Sequence, residues 1–140
     1  MRILHCASEL YPLISTGGLG SVVSALPKAL EKYAELETAV VIPYYGEITG
    51  KVPEVEWSPP MKTYAGEEFG VGRTMHGGQK IFLVAKNEFF QRRGIYGPAS
   101  GYEWPDNHER FSFFSRAVAA IVKQGFYQPD AVHCHDWQTA

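Results

Sequence analysis

The sequence predicts an α/β fold with a doubly wound, mostly parallel sheet. Short apolar or β-branched runs at residues 2–7, 37–43, 80–85 and 130–134 alternate with stretches of helical periodicity, the order of βαβ units. The first helix follows a loop ending Gly17-Gly18-Leu19-Gly20, and a strand–glycine loop–helix offers backbone N–H groups and a positive dipole end to an anion. At 140 residues, 45% hydrophobic and 20% charged, the chain has the size and composition of one ordinary globular domain.

Each element has its own justification. Residues 2–7 form the first strand. After the glycines, Leu19, Val22, Val23, Leu26, Leu30 and Tyr33 recur at helical spacing, with Pro27 predicting a kink or break. Residues 37–43 read as a buried strand ended by Pro43. From 44 to 78 the pattern weakens around Pro53, Pro59 and Pro60, and 52–57 and 63–75 read as short, partly exposed strands of a small inserted hairpin. Residues 80–85 are again a strand. The stretch 87–106, rich in glycine, proline and aromatics, is a long loop of the kind that carries function. Phe111, Phe114, Val118, Ile121 and Val122 give residues 107–125 a helical face, and 130–134 closes as a short buried strand.

Composition excludes several functions. A net charge of −2, with Arg92-Arg93 the only adjacent basic pair, leaves no footprint for nucleic acid. No apolar run approaches the ~20 residues of a membrane span. The N-terminal apolar run is broken at once by His5, so neither a signal peptide nor a plastid transit peptide is read there, and a cytoplasmic location is expected. Cys6 and Cys134 each end an apolar run and are expected as buried free thiols in a reducing compartment.

Two stretches carry the chemistry. The glycine loop is neither a dinucleotide fingerprint, since Val23 stands where the third glycine belongs, nor a P-loop, since no Gly-Lys-Ser/Thr follows. By spacing alone it is either an anion loop or a plain turn. The second stretch is His133-Cys134-His135-Asp136-Trp137 at the end of the last strand. His-x-His there is half of a divalent-metal site with no further ligand cluster evident, or it is a core histidine (His133) and a helix cap with Asp136. Ligands of open α/β sheets bind beyond the carboxyl ends of strands where strand order reverses, so both stretches are expected on one crevice. Asp106 is a helix N-cap, a polar contact at the site, or both, and Arg110 reads as structural.

These residues also resemble a known family. Ser-Glu-Leu-Tyr-Pro (8–12), Ser-Thr-Gly-Gly-Leu-Gly-Ser-Val-Val (15–23) and Ala-Leu-Pro-Lys-Ala-Leu (25–30) look like the N-terminal signature of bacterial glycogen synthases and plant starch synthases. His-Asp-Trp-Gln-Thr-Ala (135–140) is similar to that family's sugar-binding signature, Asp106-Asn107-x-x-Arg110-Phe111 to its Asp-Asn segment, and Phe90-x-Arg92-x-x-Ile95-Tyr96-Gly97 to its Tyr-Gly stretch. The resemblance covers nearly the whole chain in order. It implies the incomplete N-terminal, Rossmann-like domain of a GT-B fold, across a cleft from a nucleotide-binding C-terminal domain beyond residue 140. It further implies transfer of glucose from ADP-glucose, or UDP-glucose, to the non-reducing end of an α-1,4-glucan, with retention and with no metal or other cofactor. On that resemblance His135 is the catalytic-site histidine that positions the donor glucose. Ser15, Thr16, Gly17, Gly18, Asp106, Asp136 and Trp137 are substrate-binding. Two positions depart from the family pattern: Ser15 replaces its lysine and Ser21 its aspartate, which removes charge near the expected phosphate. A non-catalytic sugar-nucleotide or glucan-binding domain and a metal-dependent hydrolase are the alternatives.

Overall fold

The computed structural model describes residues 1–34, 36–98 and 101–140. Its strands are β1 (Arg2–Cys6), β2 (Glu37–Pro43), β3 (Glu56–Trp57), β4 (Met61–Lys62), β5 (Glu68–His76), β6 (Gln79–Ala85) and β7 (Ala131–Cys134). The helices are α1 (Gly18–Ala34), α2 (Asn87–Phe90) and α3 (Asn107–Lys123). Strand order is β3-β5-β6-β2-β1-β7, with β4 on β5. Strands β6, β2, β1 and β7 are mutually parallel, and β3, β4 and β5 run antiparallel to their neighbours.

The centre of the sheet follows from the sequence. Strand β2 is Glu-Thr-Ala-Val-Val-Ile-Pro, buried from its second residue onward, as a parallel strand covered on both faces must be. From β1 the chain passes through α1 to β2 on one side, then from β6 through α3 back past β1 to β7 on the other. Two crossovers of one hand in opposite directions put α1 and α3 on opposite faces, so the sheet is doubly wound and its strand order reverses between β1 and β7.

Four expectations are corrected, the first only in extent. The antiparallel pairing expected between 52–57 and 63–75 is present as β3 on β5, but β5 runs nine residues and is also paired along its length with β6. The turn joining them is Gly77-Gly78, both at positive φ, which a two-residue hairpin turn requires and which weak alternation in the strand had hidden. Pro27 does not interrupt α1: its ring is buried against the core, where packing offsets one lost backbone bond. Along α1 the buried line is Gly20, Val23 and Pro27, while Val22 and Tyr33 face solvent. Strand β7 is exposed along all four residues and pairs with β1 alone among the described residues, and Cys134 is exposed while Cys6 is buried.

Candidate functional site at the strand-order reversal

The reversal point brings the two motif-bearing stretches together. Cys6 and Cys134 are register partners at the carboxyl ends of β1 and β7, and the His135 N–H donates to the Cys6 carbonyl at 2.9 Å. The glycine segment leaves one of these strands and His135 the other, so both lie on one rim of the sheet. The paired thiols interact as well: a hydrogen bond from Cys6 lowers the Cys134 thiol to about 6.

Glu9 organises the loop. It is 3% exposed and accepts from the Thr16 N–H at 2.9 Å, the Gly17 N–H at 3.3 Å, the Thr16 hydroxyl at 3.0 Å and the Tyr96 hydroxyl at 2.9 Å. Burial alone would raise its pKa, but these donors together hold the carboxyl below its ordinary value, so it is ionised. The Tyr96 oxygen also meets the Ser8 hydroxyl at 2.8 Å and the Gln138 amide at 3.0 Å. One phenol therefore ties together the segment after β1, the aromatic loop and the terminal segment. Between the glycine loop and the aromatic loop opens a cleft of about 570 Å³, lined in part by Thr16, Arg93, Ile95, Tyr96 and Gly97.

The glycines divide by role. Gly17 and Gly18 are exposed and have no positive φ, and a Cβ added at either would meet nothing within 4 Å, so the backbone requires glycine at neither. Gly20 is the constrained position: a Cβ there would lie 2.8 Å from Ser15 Cβ and 3.3 Å from the Tyr11 nitrogen. The helix begins at Gly18, so the N–H groups of its first turn have no intrahelical partner, and those of Thr16 and Gly17 just before it are already taken by Glu9. Ser15 is exposed, its hydroxyl donating to the Gly17 carbonyl at 3.2 Å. Lys51 reaches the same loop from outside, its ammonium 2.8 Å from the Leu13 carbonyl.

At the other stretch, His135 is 7% exposed and His133 lies in the exposed edge strand, which corrects the reading of His133 as a core histidine. Asp136 has φ 64° and ψ 178°, a region almost restricted to glycine, and its carboxylate accepts from the Trp137 N–H at 2.8 Å. Strain of that kind persists only where the surroundings impose it, and here it falls directly after the site histidine. Trp137 is half exposed and stands edge-on to Phe111 at 5.4 Å. Asp106 holds the N-cap position of α3 but makes no capping bond. Both its oxygens are taken by Arg92, at 2.8 and 2.7 Å. No direct bond joins Asp106 to the glycine loop or His135 among the described residues.

Three residues of this site escaped the sequence reading: Glu9, Tyr96 as the joining group, and His5. A carboxylate three residues after the first strand and eight before Gly17 was the available signal for Glu9. His5, fully buried in β1, supplies the third member missing from the His-x-His pair: ring nitrogens of His5, His133 and His135 lie within 4.8 Å of one another. Two of the three ring pairs are stacked, however, His133 on His135 at 20° and His5 on His135 at 29°, while His5 and His133 are tilted by 44°. Stacked rings set their lone pairs side by side, whereas imidazoles bind a metal by converging on it.

The family model described as the starch synthase catalytic domain matches residues 2–140. The chain belongs to that family. It is 39% identical over 150 residues to a glycogen synthase of Geotalea uraniireducens and 41% identical over 144 residues to one of Clostridium beijerinckii. These matches cover 100% and 99% of this chain but 29% and 28% of those relatives, so the chain spans under a third of their length. The catalytic domain of starch synthase IV from Arabidopsis thaliana, solved with ADP and acarbose, superposes with a TM-score of 0.78 at 28% identity, over 99% of this chain and 28% of that one. The α/β sheet of this starch synthase family member thus corresponds to the N-terminal part of a GT-B catalytic domain. No helix among the described residues is long and apolar enough to cross a membrane.

Proposed function

We propose that the chain forms the N-terminal wall of a glucan synthase, which moves glucose from ADP-glucose or UDP-glucose to the non-reducing end of an α-1,4-glucan. The observation that carries this reading is the pairing of β1, which leads to the glycine segment, with β7, which ends at His135, so that both stretches leave the sheet on one rim at the strand-order reversal. The ADP and acarbose held by the Arabidopsis structure support a sugar nucleotide and a glucan as the ligands of this site.

As the glycosidic C–O bond breaks, negative charge grows on the leaving diphosphate, and donors already aimed at that position lower the barrier. The N–H groups and dipole of the first turn of α1, from Gly18, serve that purpose, with Ser15, Thr16 and Gly17 shaping the approach. Glu9 holds Thr16 and Gly17 in place through their N–H groups. His135 positions the donor glucose, Asp136 orients the segment around it, and Trp137 walls the pocket. Asp106 acts from the edge of the site, anchoring Arg92. The transfer needs no metal, and a cytoplasmic location suits substrates of this class.

A cleft enzyme with one wall loses the positioning that turns binding into rate, so the 140-residue chain alone is expected to show no glucosyl transfer. Grafting residues 2–140 onto the remainder of the Clostridium beijerinckii synthase tests the proposal. The chimaera should transfer glucose from a sugar nucleotide to glycogen, and His135→Ala should reduce that by ~10²-fold or more. A folded chimaera inactive with both ADP-glucose and UDP-glucose would sink it.

A further inference from the structure

His5 Nδ1 lies 3.0 Å from His135 Nε2, with both rings buried. Two imidazole nitrogens bond at that distance when one carries the proton and the other does not. Burial, and then His135 and His133, push His5 down to about 4, and burial followed by His133 lowers His135 as well. Each ring is therefore neutral near pH 7 and owns a single N–H.

That leaves two arrangements. In one, His135 Nε2–H donates to His5 Nδ1, which forces the His5 proton onto Nε2. That atom is buried with no hydrogen-bond partner, so an N–H would point into surroundings that cannot accept it. In the other, His5 Nδ1–H donates to His135 Nε2, and the buried His5 Nε2 is a bare lone pair. Orphaned buried N–H groups are the rarer defect in folded proteins.

We infer that His5 is a positioning residue that fixes the tautomer of His135, holding the His135 proton on Nδ1. This form is opposite to the Nε2–H tautomer that a free histidine side chain favours in water. The His135 Nδ1 forms no hydrogen bond among the described residues and is not among the buried unpartnered atoms, so it keeps contact with solvent. His135 then presents a donor N–H to an incoming oxygen, and a ligand hydroxyl at the rim is met through its lone pair. The link to a sugar hydroxyl rests on the proposed transferase reading, whereas the tautomer itself does not.

The test is long-range ¹H–¹⁵N NMR of the histidine rings in this 140-residue chain near pH 7.5, without ligand. His135 should show a protonated Nδ1 and a bare Nε2. His5→Phe, which keeps the bulk but removes the donor, should move the His135 proton wholly or partly to Nε2. His5→Asn, whose amide nitrogen falls near the former Nδ1, should restore the Nδ1–H form. Nε2–H on His135 in the unsubstituted chain, or an unchanged Nδ1–H in a folded His5→Phe variant, would overturn the inference. So would added zinc chloride shifting the His5 and His135 nitrogens together, because they would then be ligands. The unsubstituted spectrum is decisive even if a variant misfolds. Sugar is absent from the measurement, so failure of the transferase reading leaves this result intact.

Discussion

Two polar hubs hold the aromatic loop, one from the core and one from the rim. In the core, the Arg110 guanidinium is fully buried and donates to the carbonyls of Phe89 at 2.7 Å and Ile95 at 2.9 Å and to the Asn107 amide oxygen at 2.6 Å. Its partners are neutral oxygens, and it lies over the rings of Phe90 and Phe111. At the rim, Glu9 and Tyr96 grip the next stretch of the same loop, but they also bind the N–H groups that begin the glycine segment. The charged group at the centre of each hub, Arg110 or Glu9, is buried and makes several hydrogen bonds. Both hubs touch residues that line the cleft, Ile95 in one case and Thr16 and Tyr96 in the other, but only the rim hub binds the glycine segment. The density of hydrogen bonds therefore marks structure in both places, and what separates the two is which segment the network fixes.

The largest effect should come from breaking the core hub. Arg110→Met keeps the apolar stem but strands the Phe89 and Ile95 carbonyls, and stability should fall by on the order of 3 kcal/mol, read as a lower denaturant midpoint. The glycine loop's own amide protection should fall only in step with the global loss.

Glu9→Gln breaks the rim hub instead. An amide is a poorer acceptor than the ionised carboxylate, so a loss of about 1–2 kcal/mol is expected, with hydrogen exchange rising first at Thr16 and Gly17. Its pH signature follows from the sign of the shift. A carboxyl whose folded pKa is depressed contributes stability that is present above the unfolded value near ~4.3 and is lost as pH falls through the folded value. Acid melting curves should therefore be steeper for the unsubstituted chain than for Glu9→Gln below about pH 4.3, and parallel curves would show the Glu9 contacts to be energetically idle.

A smaller loss, about 1 kcal/mol or slightly more, is expected for Gly20→Ala, because the added methyl meets Ser15 Cβ at 2.8 Å and Ser15 sits on an exposed loop able to give way. Asp136→Gly should shift stability the other way, by roughly 1 kcal/mol or less, since it relieves the backbone at φ 64° but forfeits the bond to the Trp137 N–H. The smallest change belongs to Gly18→Ala, within about 0.5 kcal/mol in thermal melts, as the position has ordinary φ and open space. In the grafted synthase the proposed role of the first turn of α1 predicts the reverse order of the two glycines for donor binding, since a methyl at Gly18 would crowd a diphosphate held there.

Much of this was legible in the chain itself. Residues 37–43 are buried almost end to end, and a run such as Thr-Ala-Val-Val-Ile cannot be satisfied at a surface, so its strand and central place follow from composition. The order of strands and helices, with the handedness of crossovers, was enough to put the glycine segment and His135 on one rim. Side-chain assignments made through local patterns fared less evenly. Asp106 sits at the helix start its type predicts, yet its charge goes to Arg92, fourteen residues earlier in the chain.

What only the tertiary structure decided were the pairings between distant residues, which leave no periodic trace. Strand β5 became part of the main sheet because a Gly-Gly turn folded it onto β6, although its own alternation is weak. His5 and His135, 130 positions apart, met because parallel register sets β1 beside β7. Glu9 and Tyr96, 87 positions apart, are joined where the loop before α3 meets the segment after β1. Local sequence determines which segments become strands and helices through burial and backbone preference. Which polar atom finds which partner depends on the register and packing of the assembled sheet, and there the chemistry of this rim was settled.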